Sequence, residues 1–293
     1  MIYTLTLNPA LDYYIETENL IQGTVNRAVS AELKIGGKGL NVSRVLSKLG
    51  LETVALGFVG GFTGEVITKG CEFNTDFITL EQNTRINVKL KDSDTETEIN
   101  GLGAEIPKEK LTQLFEKAKK ITENDMLIMC GSLPKNLPFT FYRDFAKATA
   151  ARFVITDTSG KALSSALEMK HFLIKPNIFE LEELFNRKIN TLDETVTYAV
   201  KLLETTENVL VSMGEKGAVL VNRDTYFYVP AAKGRVLSAV GAGDTLLAAF
   251  VADYLKNKDL KSALEFAAET AARFVFTGVI GGATGDMGVQ HMG

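Results

Sequence analysis

The sequence holds two cysteines, Cys71 and Cys130, and two histidines, His171 and His291. The cysteines lie far apart with no CxxC pair, so a zinc site and a Cys-His nucleophile both lack the residues they need. Cys130, inside an apolar run, reads as a buried strand residue. No run of Lys or Arg occurs, and 32 basic against 36 acidic residues give a formal net charge of -4, which disfavours a nucleic-acid partner. No uncharged apolar run approaches membrane-spanning length, and Met1 to Leu7 has no basic flank of the kind a secretion signal carries. A soluble, cytoplasmic protein with no membrane partner is expected. Also missing are the Walker A pattern GxxxxGK(S/T) and the dinucleotide fingerprint GxGxxG, so a P-loop NTPase and a standard dinucleotide fold are both disfavoured. There is no internal repeat and no interdomain linker.

What is present suffices for one large core: 45% of the 293 residues are hydrophobic. Met1 to Leu7 alternates threonine with apolar residues as a first strand, followed by Asn8-Pro9 and the isolated acid Asp12. Strand-like runs at Thr53 to Val59, Met126 to Gly131, Phe153 to Asp157 and Phe172 to Lys175 alternate with helical segments, among them Glu65 to Phe73, Lys108 to Ile121, Phe139 to Ala150 and Lys161 to Met169. That rhythm predicts an α/β fold with a mostly parallel central sheet covered by helices on both faces. It breaks between Thr84 and Gly101, where Arg85 to Lys91 and Thr95 to Ile99 alternate around the turn Asp92-Ser93-Asp94 as a hairpin. With strand-like runs between Tyr13 and Ile35, the hairpin is expected to form a small β-sheet lid, over about 12–35 and 84–101 of a single domain spanning 1–293. Exposed lid strands need covering, and pairing with a second copy's lid would give a homodimer.

Chemistry concentrates in a few loops. Gly241-Ala242-Gly243-Asp244 precedes the apolar run Leu246 to Ala252, so the N–H groups of Ala242 to Asp244 should stand unpaired at a helix start and attract a phosphate. A carboxylate there repels phosphate unless it has a second task, such as taking the proton of a hydroxyl that attacks phosphorus. The plainer reading of Asp244 is a helix cap. Gly36-Gly37-Lys38-Gly39-Leu40-Asn41 would bring backbone, an ammonium and an amide to a ligand, or be a βα turn with a solvated lysine. Asn177 and Glu180, three apart after Lys175-Pro176, suit a hydrated Mg2+ or a capping box, and the spacing permits both. Ser212-Met213-Gly214 with Gly217 admits a flat or phosphorylated ligand, or is a hairpin turn. In an open α/β sheet these loops, with Asp12 and Gly131-Ser132, fall at the carboxyl ends of strands, where ligands bind.

Taken together, Asn8-Pro9-Ala10-Leu11-Asp12, Gly36 to Asn41, Lys175-Pro176-Asn177 with Glu180, Ser212-Met213-Gly214 with Gly217, and Gly241 to Asp244 resemble the PfkB, or ribokinase-like, sugar kinases. Within that family, Thr84-Arg85-Ile86-Asn87 and Glu96 to Gly101 are similar to the bacterial 1-phosphofructokinases, with tagatose-6-phosphate kinases as near relatives. The resemblance implies a ribokinase-like three-layer fold, ATP and Mg2+ as cofactors, and a sugar phosphate as partner. The reaction it implies is transfer of the ATP γ-phosphoryl to the 6-hydroxyl of fructose 1-phosphate. It further implies Asp244 as catalytic base, Gly241, Ala242 and Gly243 as the anion hole, and Asp12, Gly37 and Asn41 as contacts to sugar hydroxyls. Lys38 and Arg85 would hold the substrate's own phosphate, with Ser132 nearby. Lys175, Asn177, Ser212, Gly214 and Gly217 would serve the nucleotide, and Glu180 with Asn177 the magnesium through water. Family members usually close with a further helix, and Gly278 to Gly293 does not look like one. A non-catalytic sugar or nucleotide sensor on the same fold is the rival reading from another class.

Overall fold

The alternation of strand and helix signals resolves into two sheets. The structure, a computed structural model, describes residues 1–93 and 95–280. In chain order its elements are β1 (Ile2–Thr6), β2 (Ala10–Thr17), β3 (Ser30–Gly36), α1 (Lys38–Lys48), β4 (Thr53–Gly60), α2 (Gly61–Gly70), β5 (Asn74–Leu80), β6 (Arg85–Asp92), β7 (Thr95–Ile99), α3 (Lys108–Ala118) and β8 (Met126–Cys130). There follow α4 (Phe141–Lys147), β9 (Phe153–Asp157), α5 (Gly160–Ala166), β10 (His171–Ile174), α6 (Ile178–Phe185), α7 (Leu192–Lys201), β11 (Thr206–Ser212), β12 (Ala218–Asn222), β13 (Tyr226–Val229), α8 (Ala242–Asn257) and α9 (Leu260–Thr277).

The large sheet has nine strands in the order β13-β12-β11-β10-β9-β8-β1-β4-β5. It is parallel except at β12 and β13, which run antiparallel to their neighbours. Both faces are covered, as the near-continuous apolar strands require. On β8, Met126, Ile128 and Cys130 pack with Val42, Leu46 and Phe250 of α1 and α8, whereas Leu127 and Met129 face Leu114, Phe141 and Phe145 of α3 and α4. Register decides where chemistry can gather. Thr6 pairs with Cys130, and Cys130 with Asp157, so β1, β8 and β9 end level with one another. An isolated bridge from Asn177 to Ser212 continues that edge past β10 and β11.

The small sheet, ordered β3-β2-β6-β7, is the expected lid. Ala10 lies between Gly36 on β3 and Arg85 on β6, which roots the lid beside the end of β1.

Three points differ from what the sequence suggests. Asp12 lies inside β2, not in a loop after β1, because pairing with β3 and β6 draws the polar residue into a strand. The edge strand β5 was not expected, since Asn-Thr-Asp-Phe-Ile-Thr-Leu alternates too weakly to announce itself. The helix expected over Glu65 to Phe73 runs over Gly61–Gly70 and ends where Cys71 turns extended. Of the terminal segment, Gly278 closes α9 with a left-handed φ of 71°, and residues 281–293 lie outside the described residues, as does Asp94 of the hairpin turn. Among the described residues no helix is long and apolar enough to cross a membrane.

Candidate active site

Between the carboxyl edge of the large sheet and the lid lies a cleft of about 630 Å³. Gly37, Lys38, Asn41, Arg85 and Ser132 line it, as do Lys175, Asn177, Glu180 and Ser212. Gly241, Gly243 and Asp244 complete the wall at the start of α8. Gly241 takes a φ of 84°, which a side chain would strain, and this turns the chain so that α8 begins at the cleft. The N–H of Ala242 is used by the carbonyl of Ala239 at 3.1 Å, so the expected row of free donors shortens to Gly243 and Asp244, which find no acceptor among the described residues.

Four of the singled-out residues do not line the cleft: Asp12, Ala242, Gly214 and Gly217. Asp12 accepts from Asn87 Nδ2 at 2.7 Å, and its Oδ2 stands 2.3 Å from where a Cβ on Gly36 would sit, which explains the glycine there. Gly217 is required by packing, since a Cβ would lie 2.0 Å from the carbonyl of Val229.

At the base of the cleft the charges form a chain. Asp157, fully buried at the end of β9, meets Lys38 Nζ at 3.0 Å and Lys175 Nζ at 3.1 Å. Burial pushes its carboxyl upward, but Lys175 and Lys38 outweigh that and hold it below the usual carboxylate range. Lys38 is drawn down by burial and up by Asp157 and Glu180, and the net is upward, so it stays an ammonium. Asp244 is 6% exposed and accepts from Asn41 Nδ2 at 2.8 Å. Its pKa is pushed up to about 6, first by burial and then by the Asp157 carboxylate, against the pull of Asn41, Lys175 and Lys38. A buried carboxylate with this pKa beside free N–H groups is suited to taking a proton near neutral pH.

Asn177 and Glu180 form the capping box their spacing permits: Glu180 Oε2 accepts from Asn177 N and Asn177 Oδ1 from Glu180 N, both at 2.8 Å. Glu180 Oε1 remains outside that box, 3.9 Å from Lys38 Nζ. Among the described residues there is no cluster of three or more metal-ligating side chains.

From the lid, Arg85 donates from Nη2 to the carbonyl of Asn8 at 3.0 Å and from Nε to that of Pro9 at 3.4 Å. Lys89 is nearly buried, lines the cleft and pairs with Glu98. Sequence reasoning missed Lys89, Asn8, Asn100 and Asp157. Lys89 had a signal, because residues 85 and 89 of an alternating strand share one face. Asp157 had one also: an acid ending a buried, mostly apolar parallel strand.

Comparison with known proteins identifies the family. The profile of the pfkB family carbohydrate kinases matches residues 6–278. The chain belongs to that family. It is 40% identical over 287 residues to a 1-phosphofructokinase of Bacillus subtilis, covering 96% of this chain and 94% of the relative. A D-tagatose-1-phosphate kinase of Bacillus licheniformis is 34% identical, over 96% of this chain and 94% of the relative. In structure it is similar to phosphofructokinase-2 of Escherichia coli in complex with substrates and products, with a TM-score of 0.88, 27% identity and coverage of 94% of this chain and 93% of that one. This pfkB member is thus a carbohydrate kinase with the ribokinase-like α/β fold expected from its strand-helix rhythm.

Proposed function

We propose that this kinase transfers the γ-phosphoryl group of ATP to the 6-hydroxyl of fructose 1-phosphate, giving fructose 1,6-bisphosphate and ADP. The observation that carries the reading is Asp244, a buried carboxylate with a pKa near 6 at a helix start, in a cleft roofed by cations. In the reaction the oxygen at carbon 6 bonds to the γ-phosphorus, the bond from that phosphorus to the bridging oxygen breaks, and the hydroxyl proton passes to Asp244. The N–H groups of Gly243 and Asp244 face charge that builds on the phosphoryl oxygens, where fixed donors act with no reorganisation. Arg85 and Lys38, with Ser132 nearby, hold the phosphate already on the sugar, while Gly37 and Asn41 meet its hydroxyls. Asp12, held by Asn87 in the lid and outside the cleft lining, would reach them only on lid closure. Lys175, Asn177 and Ser212 serve the nucleotide, with Gly214 and Gly217 shaping the turn behind it.

The donor set suits magnesium brought in with ATP. One carboxylate, Glu180, keeps an oxygen outside its cap, and Asn177 adjoins it, which is too little for an all-protein cage but enough for a hydrated ion. Bound there, Mg2+ would supply positive charge to the transferring phosphoryl group. An ATP-consuming reaction of a soluble kinase suits the cytoplasm. Exposed Leu33 and Ile99 on the lid strands, with Val25 and Val29 beside them, favour a homodimer in which a second lid covers them.

The relative named for tagatose 1-phosphate favours one second acceptor, which carries its phosphate at the same carbon. Incubation of the protein with Mg-ATP and fructose 1-phosphate, tagatose 1-phosphate, tagatose 6-phosphate, fructose 6-phosphate or fructose, read by ADP release and phosphorus NMR, separates these. Fructose 1-phosphate is expected to give the highest kcat/KM and a product phosphorylated at carbons 1 and 6. Binding without ADP release would make the protein a sensor.

A further inference from the structure

Helix α1 carries a side chain that none of these roles uses. Arg44 stands three residues after Asn41, on the same helix face, and is half-buried. Its Nη1 donates to Asn41 Oδ1 at 2.8 Å and its Nη2 to the carbonyl of Ile35, at the root of lid strand β3, at 3.0 Å. Asn41 in turn donates from Nδ2 to Asp244 Oδ2 at 2.8 Å. A guanidinium has donors only. Whatever part of the Asn41 amide faces it must be the oxygen, so the NH2 is left for the carboxylate. The reverse orientation would set an amide oxygen against Asp244 and an NH2 against a cation.

We propose that Arg44 is a positioning residue for the reaction proposed above, locking the Asn41 amide in the orientation that donates to Asp244. With Oδ2 held by Asn41, Oδ1 of Asp244 is the oxygen left to take the substrate proton. Because the same guanidinium grips Ile35, the lid root and the base share one chain of hydrogen bonds. The other charged groups that act on Asp244 are Asp157, Lys175 and Lys38; Glu72 and Asp244 itself act on Arg44, and the nearby Cys71 thiol, pushed up to about 11 by burial, is neutral in the working range. Among the described residues neither lysine donates to Asn41, and Arg44 alone holds the amide from its far side.

Arg44→Met keeps the aliphatic stem and deletes every donor. With fructose 1-phosphate its kcat should fall roughly 10-fold while KM changes by less than about 3-fold. The Asp244 carboxyl, followed by carbon-13 NMR in the free protein, should titrate at higher pH, because its charged form loses a hydrogen bond. In an Asn41→Leu background Arg44→Met should cost nothing further, since the two residues act as one unit. An unmoved Asp244 titration, or an undiminished penalty in the Asn41→Leu background, overturns the proposal. Should Arg44→Met not fold, the native protein decides: the Asn41 side-chain NH2 resonances must shift as Asp244 titrates, and indifferent resonances refute the link. A native protein that phosphorylates no sugar phosphate would remove the proposed reaction, yet these two NMR readouts would still decide whether the chain of bonds exists.

Discussion

Replacing Arg85 with alanine tests whether the acceptor carries a phosphate. A guanidinium has five N–H donors, and Arg85 commits Nε and one N–H of Nη2 to the carbonyls of Pro9 and Asn8. The remainder are available to the cleft it lines, and among the described residues no carboxylate lies within ion-pairing distance to compete for them. Burial lowers its pKa, opposed by Asp12, but an arginine stays charged throughout the working range. A charge-assisted contact to a phosphate contributes about 1.5–3 kcal/mol, so kcat/KM for fructose 1-phosphate should fall about 10- to 100-fold. The substitution also removes the tie to Asn8 and Pro9, and that structural share should be common to every acceptor. Unphosphorylated fructose therefore serves as the internal control, with both acceptors assayed at one ionic strength because screening alters any exposed share of the attraction. Equal losses on both acceptors would refute a phosphate contact and leave Arg85 as a lid anchor.

Asp244→Asn should reduce kcat by roughly three orders of magnitude or more with ATP and sugar-phosphate affinities within a few-fold, since the amide keeps the shape and cannot take the proton; retained turnover removes Asp244 from the mechanism. In the native enzyme the base must be ionised, so kcat/KM should rise with pH through about 6 and level off above it, and a flat profile from pH 5 to 8 would contradict the assignment. Glu180→Gln preserves a capping box, because glutamine accepts the same bond from Asn177 N, while removing the charge; thermal stability should hold and the magnesium concentration for half-maximal rate should rise, whereas an unchanged requirement makes Glu180 a cap only. Buried His171, whose Nδ1 lies 3.0 Å from the carbonyl of Met169, has its pKa lowered from 6.5 to about 4 by burial. Between those values the unfolded chain binds the proton first, so stability should fall by about 3 kcal/mol as pH drops from about 6.5 to 4, and denaturant melts of His171→Gln should show a shallower dependence.

Periodicity reported the large sheet well because its strands are buried on both faces and their apolar runs are local: Met126–Cys130 needs no knowledge of its neighbours to be read as a strand. Glycine loops next to helix starts were readable for the same reason, and the fold brings Gly37, Lys38 and Asn41 to the same cleft as Gly241 and Asp244. Asp12 was harder, because whether a polar residue after a turn sits in a loop or a lid strand is decided by partners at Lys34 and Asn87.

Asp157 was the least visible, and it has the most influence. Alone at the end of β9 it is an ordinary strand terminus; its meaning comes from Lys38, 119 residues earlier, and Lys175, both of which it binds while buried. A carboxylate in that position cannot stay charged without two cations, and two cations crowded there would repel each other without it. It also raises the pKa of Asp244, though less than burial does. Asp244, its tuning charge and the two lysines therefore depend on one another, and no single stretch of sequence contains that dependence. The same reasoning explains why Lys38 reads from the sequence as a free phosphate ligand but stands in the fold as a paired one: in the proposed reaction it would hold the substrate's phosphate while still balancing Asp157. Its side chain is 39% exposed and lines the cleft, with one contact to Asp157 and a longer one to Glu180, so an ammonium with three donors has capacity left for that second task.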